Sequence, residues 1–531
     1  MDHGGEKIIM MNRNDHTERI AVDPAFDLVV IGGGASGIGA ALEAASRGYR
    51  TLLLEKNDFT WGTSSKSTKL IHGGVRYLAK GDIALVREAL RERGYLVRNA
   101  PHLVHDQPFI IPVYTWWDGL LYTLGLTFYD LLAGRLSMGR SVYLSRSRVL
   151  DKMPGIRGKG LRGGVLYHDG QFDDSRLAMD LLHRFHEEGG IALNYCPVTG
   201  LVKDDTGKVS GVHCLDRCGE QSMQIAARGV INATGVWVDE ILRMDQSDHR
   251  RLVTPSQGIH LVLPREFLPG KHALMIPKTS DGRVLFAVPW YDRLVVGTTD
   301  TELERMEEEP VPLEKEIRFI LETAGKYLVR IPGRDDVLSV FAGLRPLAAP
   351  AKEGARSREI SRSHKVWVSG SGLVTLTGGK WTTYRKMGED AVRRVVKVTG
   401  LPARASVTRD MRLSESNGDA DTDTGYRRYG KYSRKVAGLE VPDRDPDERL
   451  VPDLPYTRRE IRWICRKEMV CHLDDMMARR LRALFLDVRA SHAVAGDVAT
   501  IMQQELNWTE SRKNEEMKRM EEVAVRFSIA K

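Results

Sequence analysis

The chain has 531 residues, 42% hydrophobic and 28% charged, with 79 Lys and Arg against 71 Asp and Glu for a formal charge of +8. Single cores stop growing at about 250–300 residues, which excludes one domain and predicts two or three. The composition is that of a globular protein; the basic excess suits anionic partners such as a phosphorylated substrate or acidic lipid, and the scatter of the cations, with no recognised binding module, excludes nucleic acid.

Residues 1–24 carry Asp2, Glu6, Asp15 and Glu18 around one short apolar run, IIMM. That pattern fits neither a signal peptide nor a spanning helix, and it predicts a disordered tail. Residues 26–59 then combine a buried strand, a glycine-rich turn, an alanine-rich helix and a second strand ending in an acid. Gly32, Gly34 and Gly37 have G-x-G-x-x-G spacing: the first permits the tight turn, the second lets a pyrophosphate approach the backbone, the third lets helix and strand lie close. Phosphates would sit on the helix N-terminus. Glu55, at the end of the second strand, is placed for ribose hydroxyls and would repel a 2′-phosphate, so FAD or NAD is expected rather than NADP.

Residues 61–78, WGTSSKSTKLIHGGVRYL, are dense in hydroxyls and backbone donors. Residues 82–98 read as an amphipathic surface helix. Residues 109–133 are the most apolar window, broken by Pro112, Asp118, Gly119, Gly125 and Asp130. Two acids argue against a membrane span, since a charge at mid-bilayer costs about 2.5–3.5 kcal/mol. Trp117, Leu120, Leu121, Leu124 and Phe128 share one helical face, which predicts a helix buried against the core, with interfacial membrane docking as the second reading.

From 164 to 238 the pattern is again α/β, and residues 229–242, GVINATGVWVDEIL, run a strand through Ala233, Thr234 and Gly235 into a helix. Residues 251–350 are short alternating runs separated by Pro, Gly and Asp, as in an antiparallel sheet suited to a substrate wall. Residues 359–392 carry Arg362 on a hairpin, and Gly378, Gly379 and Lys380 open a helix aimed at a bound ring. Residues 411–452, rich in Asp, Arg, Gly and Pro, read as a linker; residues 457–528 are helical and charged. The five cysteines, Cys196, Cys214, Cys218, Cys465 and Cys471, are an odd number that fits reduced thiols, and no metal site is expected.

The TSSKSTKLIHGGVRYL course from Thr63 to Leu78 resembles the signature of the FAD-dependent glycerol-3-phosphate dehydrogenases, and residues 229–242 resemble the second dinucleotide-contacting turn of two-dinucleotide-binding-domain flavoproteins. The resemblance implies an α/β, D-amino-acid-oxidase-like fold: a Rossmann-like FAD-binding domain from residues 25–80, 160–250 and 355–400, an antiparallel-sheet substrate domain from 81–159 and 251–354, and a C-terminal helical cap over 453–531. It implies FAD held by Gly32, Gly34, Gly37, Glu55, Thr63, Ser64, Ser65, Ser67, Lys69, Leu70, Gly73, Gly74, Val198, Ala233, Thr234, Gly235, Gly378, Gly379 and Lys380. It implies oxidation of sn-glycerol 3-phosphate to dihydroxyacetone phosphate by hydride transfer from C2 to flavin N5, with a quinone as acceptor. His260 would be the base and Arg345 the contact to the reacting oxygen, while Arg76, Tyr77, Arg362 and Lys380 would hold the substrate. A cytoplasmic protein, peripheral on the inner face of the membrane, is expected, and a homodimer is an open assembly state. A glycerol-3-phosphate oxidase using O2, an amine oxidase or dehydrogenase of the same fold, and a flavin-containing scaffold without turnover stay open as rivals.

Overall fold

In the computed structural model the described residues are 11–529 apart from 79–80, 281, 304–305, 349–363, 415–424, 444 and 452–453, with the side chains of Arg76 and Ala348 also left aside. The central strand Ala25–Ile31 lies between two parallel neighbours, Thr51–Leu54 and Gln221–Asn232. Ile191–Leu193 extends the sheet beyond the first, and Val374–Thr377 beyond the second. Both faces of this strand are covered by packed layers, which is why LVVI is unbroken by polar residues. Leu28, Val30 and Leu53 pack in one core with the helices Ala35–Ser46, Asp174–Glu187 and Tyr384–Thr399. Val29, Ile31, Leu52 and Leu54 pack in a second core, with the helix Val238–Asp245. The helices Ala35–Ser46 and Tyr384–Thr399 touch through glycines: a Cβ on Gly388 would stand 2.5 Å from the Gly39 carbonyl oxygen.

The second sheet has ten strands and is antiparallel except where Ala273–Ile276 runs parallel to His105–Val113. Val253–Pro264 lies at its heart, paired with Arg293–Gly297 and with Ser339–Ala348. Two of its strands come from segments expected in the dinucleotide domain. Leu70–Ile71 and Gly163–Gln171 pair with each other, and the latter with His105–Val113, so the substrate sheet begins before residue 81 and reclaims the chain beyond 160. Pairing between distant strands, which local pattern does not encode, decides that boundary.

Three further expectations are corrected. The described part of the N-terminal segment is not a disordered tail, because Arg13–Val22 is a helix with His16 and Ile20 buried. Its Arg13 pairs with Asp216, and His16 bonds the Ala192 carbonyl at 2.8 Å. Nor is 411–452 simply a linker. Tyr426, Tyr429 and Val436 belong to the same apolar cluster as the cap helices Arg458–Lys467, Val488–Leu506 and Glu510–Arg526. The apolar window divides into the strand His105–Val113 and the helix Trp116–Ala133, and the face expected to be buried is outside: Trp117 is 80% exposed and Leu121 66%. The opposite stripe, Gly119, Leu126, Tyr129 and Ala133, is the buried one. Tyr129 hydroxyl contacts both Asp169 carboxylate oxygens at 3.1 and 3.2 Å, which fixes that side inward. Among the described residues no helix is long and apolar enough to cross a membrane.

Candidate active site

The two sheets meet around a cavity of about 680 Å3. On the dinucleotide side its wall includes Gly32 and Gly34 from the first turn, Glu55 after the strand Thr51–Leu54, Val198 at the start of the strand Val198–Lys203, and Ala233, Thr234 and Gly235 from the second turn. Gly32 has φ +108°, and a Cβ there would stand 2.7 Å from the Ala233 carbonyl oxygen, so only glycine lets the two turns meet. The helix Ala35–Ser46 starts on Gly34, which has no side chain to cap it, and the Ala35 N–H donates to Ser64 Oγ at 2.9 Å. Glu55 accepts from the amides of Gly33 and Asn57 at 2.5 and 2.9 Å. Burial raises the Glu55 carboxyl above its ordinary range, against the pull of those two amides.

Thr63, Ser64, Ser67 and Leu70 line the cavity. Trp381, which sequence reasoning passed over, donates from Nε1 to the Ser64 carbonyl at 2.8 Å and so ties this loop to the Gly378-Gly379-Lys380 turn. Both glycines of that turn have positive φ, +73° and +82°. Lys380 Nζ lies 4.3 Å from the Tyr77 ring centroid, and both residues line the cavity.

Other expected cofactor contacts stand behind the wall. A Cβ on Gly37 would come 1.7 Å from the Gly32 carbonyl oxygen, so its role is helix–strand contact. Lys69 is fully buried, its ammonium 2.6 Å from Asp174 Oδ2 and 2.6 Å from the Ser65 carbonyl. Burial, then the nearby Arg482 charge, lower the Lys69 ammonium to about 7 in spite of Asp174. The Ser65 hydroxyl donates to the Gly62 carbonyl at 3.4 Å, and Gly73 donates to Asp169 Oδ1 at 3.2 Å. Gly74 has φ +81° against the Tyr77 ring. Arg76 has no described side chain, and Arg362 lies outside the described residues.

The substrate-sheet wall holds His260 and Arg345. Alternation along Val253–Pro264 puts Ser256, Gly258 and His260 on one face, and the register with Ser339–Ala348 places Arg345, Gly343 and Phe341 opposite them. Glycines clear the space: a Cβ on Gly297 would meet His260 Cδ2 at 2.4 Å, and one on Gly258 would meet Arg345 Nη2 at 2.2 Å. The His260 ring stacks on Phe341 with centroids 4.9 Å apart. Thr68 Oγ1 lies 2.9 Å from His260 Nε2, while Nδ1 is buried with no hydrogen-bond partner among the described residues. Burial, reinforced by the charges of Arg345 and Lys69, holds the imidazole well below its ordinary pKa. Arg345 donates to Thr298 Oγ1 at 2.8 Å and Asp300 Oδ1 at 3.3 Å. Thr68, Thr298 and Asp300 were not anticipated; Thr68 stands inside the 61–78 run, while nothing local marks the other two.

The residues present fit FAD. Two glycine turns leave a channel in which a Cβ on Gly34 would come within 3.0 Å of Ser64 Oγ, and at Gly235, with φ +64°, a Cβ would meet nothing within 4 Å. A helix start, a half-buried acid, Val198 and Lys380 line one continuous cavity. Among the described residues no group of three or more His, Cys, Asp or Glu is arranged to hold a metal.

A family model described as FAD dependent oxidoreductase matches residues 27–385, and one described as the C-terminal domain of alpha-glycerophosphate oxidase matches residues 375–513. The mitochondrial glycerol-3-phosphate dehydrogenase of Rattus norvegicus is 40% identical over 94% of this chain and 73% of its own length. That of Arabidopsis thaliana is 38% identical over 96% of this chain and 87% of its own. Among solved structures, the glycerol-3-phosphate dehydrogenase from Bacillus halodurans complexed with FAD has a TM-score of 0.79 at 30% identity, covering 97% of this chain and 98% of that one. L-alpha-glycerophosphate oxidase from Mycoplasma pneumoniae with FAD bound has a TM-score of 0.55 at 16% identity, covering 73% and 98%, a likeness of fold alone.

Proposed function

The chain belongs to the family of FAD-dependent glycerol-3-phosphate dehydrogenases, and from that premise we propose that it oxidises sn-glycerol 3-phosphate at C2 to dihydroxyacetone phosphate and delivers the electrons to a quinone. FAD, when bound, supplies the two-electron acceptor for this step. The secondary alcohol must also lose a proton from oxygen. His260 takes it: the ring is buried, kept neutral by its surroundings, and held in place by Thr68 and Phe341. Arg345, fixed by Thr298 and Asp300, holds the substrate oxygen as negative charge grows there. Tyr77 and Lys380 on the opposite wall, with Arg76 and Arg362, bind the phosphate; guanidinium suits a dianion because it stays charged and grips two oxygens. On this reading Arg362→Lys raises KM for glycerol 3-phosphate and leaves slow turnover of glycerol unchanged.

The observation that carries the reading is a buried imidazole, His260, and a guanidinium, Arg345, on the wall of the cavity that the two glycine turns open into. Anaerobic addition of glycerol 3-phosphate to the FAD-loaded protein should bleach the visible flavin band, and a quinone analogue should restore it. A band that stays unchanged overturns the proposal. The match to an oxidase C-terminal domain model favours O2 as the rival acceptor; stoichiometric peroxide with no quinone reduction would establish it.

A quinone is lipid-soluble, and the outward face of the helix Trp116–Ala133 supports docking on a bilayer. Trp117, Leu121, Leu124 and Leu131 form an exposed apolar stripe. Val142 and Tyr143, on a strand in contact with this helix, are exposed as well. Exposed Arg135, Arg140, Arg146 and Arg148 follow it in sequence, a charge pattern suited to anionic headgroups.

A further inference from the structure

Cys218 and Cys471 stand 253 positions apart in the chain and meet where the dinucleotide domain touches the cap, with their sulfurs 3.6 Å apart. Cys218 is exposed, in the turn between Val209–Asp216 and Gln221–Asn232. Cys471 follows the cap helix Arg458–Lys467, and its amide donates to Asp475 Oδ2 at 2.9 Å. The turn is equally fixed. Asp216 Oδ1 accepts from the amides of Cys218 and Gly219 at 2.9 and 3.0 Å, and the same carboxylate grips Arg13 of the N-terminal helix. Arg13 also donates to the Asn194 carbonyl at 3.1 Å. Two thiols are thus held face to face on anchored backbone, beside a guanidinium and the His472 imidazole.

This setting favours thiolate at the outer sulfur. The hydrogen bond with Cys471 outweighs burial and, helped by Arg13, brings the Cys218 thiol down to about 7. Cys196 and Cys465 are shifted the other way. Cys196, hydrogen-bonded to Cys214, is pushed far up, and burial pushes Cys465 up; all three are buried. A reachable, low-pKa thiol with a second thiol in contact is the arrangement of a redox-responsive pair.

We propose that Cys218 and Cys471 form a peroxide-responsive pair that closes to a disulfide between the dinucleotide domain and the cap. The Cys218 thiolate attacks one oxygen of hydrogen peroxide, the O–O bond breaks, and the hydroxide released takes a proton to leave as water. The Cys471 sulfur then attacks the sulfenic sulfur of Cys218; the S–S bond forms, the S–O bond breaks, and the second water leaves with the Cys471 proton. Two thiols lose two electrons and the peroxide gains them, and a dithiol reverses the step. The sulfurs need to approach by roughly 1.5 Å to reach bonding distance, a movement the exposed turn of Cys218 can supply. The bond would tie the loop before Asp474 and Asp475, and so the cap arginine Arg479 that both carboxylates hold, to the first sheet.

The test uses the full-length FAD-loaded protein, treated with hydrogen peroxide, denatured, alkylated with N-ethylmaleimide and mapped by mass spectrometry with and without dithiothreitol. The expected result is loss of two alkylation sites and a Cys218–Cys471 linked peptide that dithiothreitol releases. Cys471→Ser should leave Cys218 as a sulfenic acid captured by dimedone, and Cys218→Ser should leave Cys471 alkylated. Wild-type protein in which Cys218 stays alkylated, over-oxidises to sulfinic acid, or joins a second molecule, with no linked peptide, overturns the proposal.

Discussion

Along the strand Val253–Pro264, Gly258 and His260 line the cavity and Ser256 shares their face of the strand, and neighbouring strands fix what each can do. Gly258 gives Arg345 room to lie across the strand; Ser256 hydroxyl bonds Asp300, the carboxylate that also holds Arg345. His260 has its proton affinity lowered first by burial and then by two cations. The sign for catalysis follows: a base with a lowered pKa stays competent until the pH falls below the ordinary imidazole range. The acid limb of kcat/KM is therefore expected well below pH ~6.5, and an acid limb at or above that value would remove His260 from the role. His260→Ala should lower kcat/KM by at least ~10² with FAD still bound, measured as turnover per mole of flavin. The residues on this wall were only half legible. His260 and Arg345 could be named from motif resemblance, whereas Thr298 and Asp300 come from a neighbouring strand whose pairing no short pattern announces.

Among the elements, the helix Trp116–Ala133 shows where periodicity stops being informative. Its sequence is apolar on two faces, and spacing alone identifies both without saying which one the protein covers. The answer came from one polar contact, Tyr129 on Asp169, and from the small side of Gly119 against Val113 and Tyr143. Likewise the G-x-G-x-x-G strand–turn–helix was legible because each glycine is required locally, while the sheet that Gly163–Gln171 joins is set by its pairing with a distant strand. The exposed face carries its own prediction. Burying one leucine is worth about 1.5–3 kcal/mol, so Leu121→Glu should cut partitioning into anionic vesicles at least ~10-fold while leaving turnover with a soluble acceptor intact. Sedimentation with vesicles at low and high salt checks it, and equal binding of the variant and wild type would end the docking proposal.

At the scale of the molecule, the cap is joined to the dinucleotide domain by ion pairs out of reach of water. Asp58 accepts from Arg479 at 2.6 Å and from Arg480 at 2.8 and 2.9 Å, with all three buried. Burial would raise the Asp58 carboxyl, but the two guanidiniums outweigh it and lower it to about 2. Its contribution to stability is thus fully present above the unfolded value and is lost as the pH falls from about 3.8 through 2. Asp58→Asn removes the charge that the two guanidiniums share, leaving Arg479 to Asp474 and Asp475 and Arg480 to Glu468, and should cost about 3–5 kcal/mol, read as a lowered denaturation midpoint with early proteolysis at the cap. Arg480→Met, which leaves Asp58 its bond to Arg479, should cost less; equal or reversed losses would contradict this ranking. None of this could be read from the charged composition of residues 457–528, in which buried and solvated arginines look alike. Arg482 extends the same junction further, donating to the Ser65 carbonyl 417 positions earlier at 2.6 Å and to Asp174 at 3.1 Å. The hydroxyl-rich loop against the cavity is therefore clasped by a segment that lies 417 positions further along the chain. A chain truncated before that arginine should purify colourless, because the loop on the cavity wall would lack its clasp.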